Sequence, residues 1–174
     1  MKQVTSICWN PSNPDLFAVG YGSYDFSKQG PGVVACFSLK NPSYPEFLFT
    51  TDSGVLCIDF NPQHSSMIAA GLYDGNVVVY NLHSKDATPI FKSTSATGKH
   101  FDPVWQICWQ KDDLDENLNF STVSSDGKVK EWILLKNELM CHVCLYPFDL
   151  KSHTARISSN RQTMKQTELL LSIS

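Results

Sequence analysis

The sequence predicts an all-β chain, an incomplete β-propeller of about three four-stranded blades. Three observations lead there. Short apolar runs recur between clusters of turn residues, and only the last ten residues hint at helical periodicity. A motif repeats: Val4-Thr-Ser-Ile7-Cys8-Trp9-Asn10-Pro11, Val55-Leu-Cys57-Ile58-Asp59-Phe60-Asn61-Pro62 and Val104-Trp-Gln-Ile107-Cys108-Trp109-Gln110-Lys111, spaced 51 and 49 residues apart. Each copy then continues alike. A run of small apolar residues leads to a turn with a glycine at 32, 75 or 127, an aromatic five residues later (Phe37, Tyr80, Trp132) and a leucine two further on. Four strands repeated every ~45–50 residues is the propeller pattern.

The repeats run about 4–54, 55–103 and 104–145, followed by a tail, 146–174. In the first, residues 4–9 alternate as a strand does, and Asn10 to Asp15 is a turn. Leu16 to Gly20 is the second strand, and Tyr21 to Gly32 a polar insertion too long for a tight hairpin. Val33 to Phe37 is apolar enough to be buried on both faces, and 46–51 follows as the fourth strand. The second repeat gives strands 55–60, 67–71, 77–82 and roughly 89–93, with a tight reversal at Asp74-Gly75. Ser93 to Asp102 is a polar connection. The third gives 104–109, 119–124, 128–134 and 139–145, with Asp126-Gly127 as its reversal, because glycine tolerates the positive φ a tight turn needs. The tail mixes Lys151, Arg156, Arg161 and Lys165 with many Ser and Thr and reads as disordered or weakly helical.

Composition narrows the function. The 174 residues suit one domain, and charged residues make up 18% with a net charge of −3, which argues against a nucleic-acid surface. No apolar run is long enough for a membrane helix, and Met1-Lys-Gln-Val-Thr-Ser lacks the apolar core of a signal peptide. The six cysteines are accordingly expected to be reduced intracellular thiols, four of them inside strands.

His100, and later Ser124-x-Asp126-Gly127 with Trp132 six residues after the Asp, resemble the WD-repeat signature. An aspartate buried between strands is costly unless its oxygens are satisfied, and an imidazole N–H, a hydroxyl and turn amides can satisfy them. The resemblance implies that His100, Ser124, Asp126 and Trp132 form one hydrogen-bonded set within the third blade. The second repeat keeps Asp74 but has Thr51, Leu72 and Tyr80 at the other positions, and the first keeps only the glycine and Phe37. The Trp-Asp pair that names the family is absent, since the three sites read Phe37-Ser38, Tyr80-Asn81 and Trp132-Ile133.

A narrower resemblance lies in Leu16 to Phe26, Tyr73 to Asn81, Asp102 to Asp113 and Leu118 to Gly127. These stretches are similar to the propeller of axonemal dynein intermediate chains, of the outer-arm intermediate chain 1 type, over about residues 1–138. The resemblance implies a non-catalytic scaffold subunit in the cytoplasm and the ciliary or flagellar axoneme, needing no cofactor. Its implied partners are the dynein heavy chain, another intermediate chain, the light chains and tubulin, with neither membrane nor nucleic acid involved. A generic WD-repeat adaptor of another intracellular complex is the alternative. The remaining blades and the family's extended N-terminal region lie outside these residues, and after Glu138 the similarity ends, so an alternative C-terminus is expected.

Other chemistry reads weakly. Cys141-x-x-Cys144 with His142 and His153 lacks the second paired motif of a structural zinc site. Asp112 to Glu116 lacks the alternation and central glycine of a calcium loop. Thr97-Gly-Lys-His100 has His where a phosphate loop needs Ser or Thr. His100, Asp126 and Ser124 have no nucleophile elbow or oxyanion hole around the serine, so no catalytic triad is expected. Tyr24, Phe26 and Lys28, in the long insertion, are the candidate partner contacts.

Overall fold

The computed structural model describes residues 2–84, 86–111, 117–136 and 138–144. They form three four-stranded antiparallel sheets. The first blade holds β1 (Gln3–Trp9), β2 (Leu16–Gly22), β3 (Gly32–Ser38) and β4 (Phe47–Thr51). The second holds β5 (Val55–Phe60), β6 (Met67–Leu72), β7 (Val77–Asn81) and β8 (Phe91–Lys92). The third holds β9 (Val104–Trp109), β10 (Leu118–Ser124), β11 (Val129–Leu134) and β12 (Leu139–Cys144). Strands within each sheet follow chain order, and β5 packs between β1 and β9, so the first strand of every blade lies on the inner side. The helical structure among the described residues is one 3-10 turn, Phe26–Lys28, inside the insertion. The tail, 146–174, lies outside the described residues.

The core lies between blades because the middle strands are apolar on both faces. On β6, Ile68, Ala70 and Leu72 join Leu16, Ala18, Val34, Cys36 and Phe49 of the first blade. Met67 and Ala69 on the opposite face join Val104, Ile107, Trp109, Phe120 and Trp132 of the third. Alternation with period 2 thus builds two interfaces from one strand. Small residues set the spacing: a Cβ on Gly20 would stand 2.9 Å from Val55 Cγ1, and one on Gly71 2.7 Å from Val104 Cγ1.

The internal repeat extends to irregularities. Each inner strand carries a bulge at the same place, leaving Thr5, Leu56 and Trp105 without a partner in register. Asn10 and Asn61 close the first turns of their blades, each accepting two backbone amides on its side-chain oxygen at 2.8–3.0 Å. The third copy has Gln110 there. Gly75 and Gly127 adopt φ of 83° and 73°, as their reversals require. Gly32 differs from the expectation of a turn glycine. It lies within β3, opposite Thr51, where a Cβ would stand 2.6 Å from Val55 N and 2.7 Å from the Ser53 carbonyl. Close approach of backbones, not a turn, requires glycine there.

Candidate interaction surface

In an up-and-down blade, the connection between the second and third strands lies at the same end as the connection entering the first. Segments 22–32, 73–76, 93–103 and 125–128 therefore share one end of the molecule. Four exposed aromatics gather at that end: Tyr24, Phe26, Phe101 and Trp105. The insertion owes its shape to local hydrogen bonds. Asp25 caps the 3-10 turn by accepting from Ser27 N at 2.9 Å and Ser27 Oγ at 2.7 Å, and the Gln29 side chain donates to the carbonyls of Ser23 and Asp25. The Ser27 hydroxyl and amide hold the Asp25 carboxyl below its ordinary value.

Tyr24 ties this loop across the molecule. Its hydroxyl donates to the Thr5 carbonyl at 2.8 Å, and its ring stacks on Trp105 with centroids 6.3 Å apart and planes 8° from parallel. Thr5 and Trp105 are the bulge residues of the first and third blades. The Thr5 hydroxyl in turn donates to the Val55 carbonyl of the second blade at 2.7 Å. Phe26 stands 83% exposed at the tip, and Lys28 is exposed beside Asp25 at 3.4 Å. Of the three expected contact residues, Phe26 and Lys28 point outward, whereas Tyr24 spends much of its surface holding the loop down.

Beneath the third blade's share of this end lies a buried polar chain. His100 Nδ1 donates to the Asp126 carboxylate at 3.0 Å, and His100 Nε2 faces Thr122 Oγ1 at 2.8 Å. Trp132 Nε1 donates to that same hydroxyl, also at 2.8 Å. One tautomer satisfies every group: indole N–H to Thr122, Thr122 O–H to a neutral His100 Nε2, and His100 Nδ1–H to Asp126. The carboxylate also accepts from the amides of Phe101 and Lys128. Ser124, expected in this set, is not bonded to the carboxylate. Its hydroxyl donates to the Asp102 carbonyl at 2.9 Å and accepts from Asp126 N, so it shapes the turn. Thr122, two residues earlier on the same face of β10, lies within reach of both rings. Burial holds His100 below its ordinary range, the Asp126 bond opposing it in part. Burial alone would raise Asp126, but the His100 bond and the Phe101 and Lys128 amides outweigh it and hold the carboxyl low. Lys130 is buried nearby, donating to the carbonyls of Gly98 and Lys99 and so fastening the 93–103 connection onto the blade.

The second blade satisfies itself otherwise. Asp74 bonds the amide and side chain of Asn76, Thr51 donates to the Ser53 carbonyl at 2.7 Å, and the Tyr80 hydroxyl reaches the Thr50 carbonyl at 3.4 Å. Asp59 is the residue that sequence reasoning missed. Its carboxylate accepts from Trp109 N at 3.2 Å and from the Cys8 thiol at 3.6 Å, and its carbonyl accepts from Trp109 Nε1, so one residue of β5 fastens both neighbouring inner strands. Burial pushes the Cys36 and Cys57 thiols up to about 12, the character of packing cysteines. Among the described residues no group of three His, Cys, Asp or Glu could hold a metal. The Cys144 side chain, His153 and the acidic run 112–116 lie outside them.

Comparison with known proteins agrees with this architecture. The family described as WD domain, G-beta repeat, matches residues 44–81, which span β4 to β7 and so join the last strand of one blade to three of the next. The chain is 62% identical over 136 residues to ciliary dynein intermediate chain 2 of Heliocidaris crassispina, covering 78% of this chain and 19% of that protein. It is 50% identical over 159 residues to dynein axonemal intermediate chain 1 of Mus musculus, covering 91% and 22%. To the 78 kDa flagellar outer-arm dynein intermediate chain of Chlamydomonas reinhardtii it is 52% identical over 139 residues, covering 80% and 20%. The chain spans about a fifth of the length of these curated relatives.

Proposed function

Because this chain belongs to the axonemal dynein intermediate chains, we propose that it is a non-catalytic scaffold subunit that helps assemble and anchor a dynein motor in the axoneme of cilia or flagella. The observation that carries this reading is identity of 50–62% to three such chains across the blade-forming residues. Its partners in this role are the dynein heavy chain, another intermediate chain, light chains and tubulin. Phe26 and Lys28 supply the contact, presented on a turn already fixed by its own hydrogen bonds, so little conformational entropy is lost on binding. Tyr24 keeps that turn in place.

A pull-down of tagged residues 1–174 from ciliated-cell extract, read by mass spectrometry, tests the proposal. Dynein heavy and intermediate chains are expected, with recovery falling in a Phe26→Ala variant. A folded bait that recovers no dynein subunit overturns the scaffold role. Equal recovery by the Phe26→Ala bait overturns the assignment of the contact alone.

A further inference from the structure

Loop 22–32 is a preformed unit with a single fastening away from its neck. The neck is fixed by close backbone approach. A Cβ on Gly22 would stand 2.3 Å from the Val55 carbonyl oxygen, and one on Gly32 2.6 Å from Val55 N, so both arms pass against the connection between the first and second blades. The tip holds its own shape through the Asp25 and Gln29 bonds. Among the described residues, the one hydrogen bond that leaves segment 23–31 runs from the Tyr24 hydroxyl to the Thr5 carbonyl. The same ring adds the stack on Trp105. Tyr24 to Lys28 are five consecutive exposed residues. A surface segment held at one point opens at low free-energy cost, and opening puts the Tyr24 hydroxyl in solvent.

The surroundings of the seated hydroxyl decide what would keep the loop open. In front of it is an acceptor, the Thr5 carbonyl, and next in sequence is the Asp25 carboxylate. Lys28, the loop's own cation, is paired with that carboxylate at 3.4 Å. A phosphate ester on the phenolic oxygen removes the donor and sets about −1.5 to −2 charges against acceptor oxygens, so the modified ring cannot reseat. The stack on Trp105 needs no hydroxyl, and phenylalanine would supply it. What tyrosine adds at this position is a latch that one reaction can remove.

We propose that Tyr24 is a phosphoacceptor site, and that a phosphoryl group there unlatches loop 22–32 and releases the Phe26 tip from its fixed position. In the step, the Tyr24 phenolic oxygen bonds to the γ-phosphorus of a nucleoside triphosphate held by a tyrosine kinase. The bond from that phosphorus to the bridging oxygen breaks, the nucleoside diphosphate leaves, and the phenolic proton passes to the kinase's base. The phosphate traps a loop that has already opened. The proposal rests on the loop's own bonds and stands whether or not the partner at Phe26 is a dynein chain.

Trypsin reads the loop, because Lys28 is its one basic residue and cleavage follows the population of the open form. A purified tyrosine kinase, chosen for acting on a peptide of residues 19–31, is given the folded chain with ATP and magnesium. Mass spectrometry is expected to find the phosphate on Tyr24. Cleavage after Lys28 should then be about tenfold faster or more, with the circular dichroism of the blades unchanged. Tyr24→Phe, which keeps the stack and loses the bond to Thr5, should be cleaved at a rate between the two. A folded chain that stays unmodified at Tyr24 overturns the proposal, and so does a peptide that no tyrosine kinase accepts. A phosphorylated chain cleaved no faster than the unmodified one, or one whose blades unfold, overturns the latch.

Discussion

Thr122 holds the two rings of the third blade together, and no neighbouring hydroxyl can take its place. Thr122→Val keeps the shape but leaves His100 Nε2 and Trp132 Nε1 unpaired, an expected loss of about 1–3 kcal/mol, and Thr122→Ser recovers most of it. Denaturant midpoints measure both. Asp126→Ala strands the His100 ring and two amides, again at about 1–3 kcal/mol, whereas Asp74→Ala costs less because the Asp74 carboxylate serves Asn76 within its own turn. Equal midpoints for those two variants would contradict the difference in role. His100 also sets a pH dependence. Its folded pKa lies below the ordinary value, so below about pH 6.5 the unfolded chain binds a proton that the folded chain does not, and stability falls as the pH drops. The depressed Asp126 carboxyl acts in a lower window: its stabilisation is complete above the unfolded pKa near ~3.9 and is lost as pH falls through its folded value. Urea titrations should show the first decline in wild type and a flatter profile in His100→Gln. The resemblance to the WD-repeat signature offered His100, Asp126 and Trp132, but it put Ser124 in the set where the structure has Thr122. Residues two apart on a strand face the same way, and only the lean of the Trp132 and His100 rings decides which hydroxyl they meet.

The two turn glycines separate backbone strain from steric crowding. Both have positive φ, yet a Cβ on Gly127 meets nothing within 4 Å, while one on Gly75 would stand 2.2 Å from the His100 carbonyl. Gly127→Ala should therefore cost about 1–2 kcal/mol, the strain of a left-handed L-residue. Gly75→Ala should cost clearly more, because the connection between the second and third blades must move. Thermal unfolding of the two variants side by side gives the comparison. Most strands were legible because turn residues bracket each apolar run: Val55 to Phe60 and Val104 to Trp109 coincide with β5 and β9. The shortest was not. Residues 89–93 promise a full strand, but β8 holds only Phe91 and Lys92, with Ile90 N and Ser93 N still donating to the Val79 and Val77 carbonyls at its two ends. The bulges at Thr5, Leu56 and Trp105 share no residue type, so no local pattern marks them. They are visible only as register, which belongs to the pair of strands.

Across the whole molecule, the insertion links blades that are not neighbours in sequence. Stacking of Tyr24 on Trp105 should appear in a double-mutant cycle as a coupling of about 0.5–1.5 kcal/mol, and Tyr24→Phe should lose only the bond to Thr5. Zero coupling would mean that the rings merely lie near each other. Repetition and blade count were legible in the sequence because a fixed period survives divergence. The contact between loop 22–32 and the third blade was not, because it depends on how two blades turn about a third. The chain order of the strands within each sheet bears on synthesis as well. Each sheet is closed by consecutive residues, so the blades can form one after another as the chain leaves the ribosome.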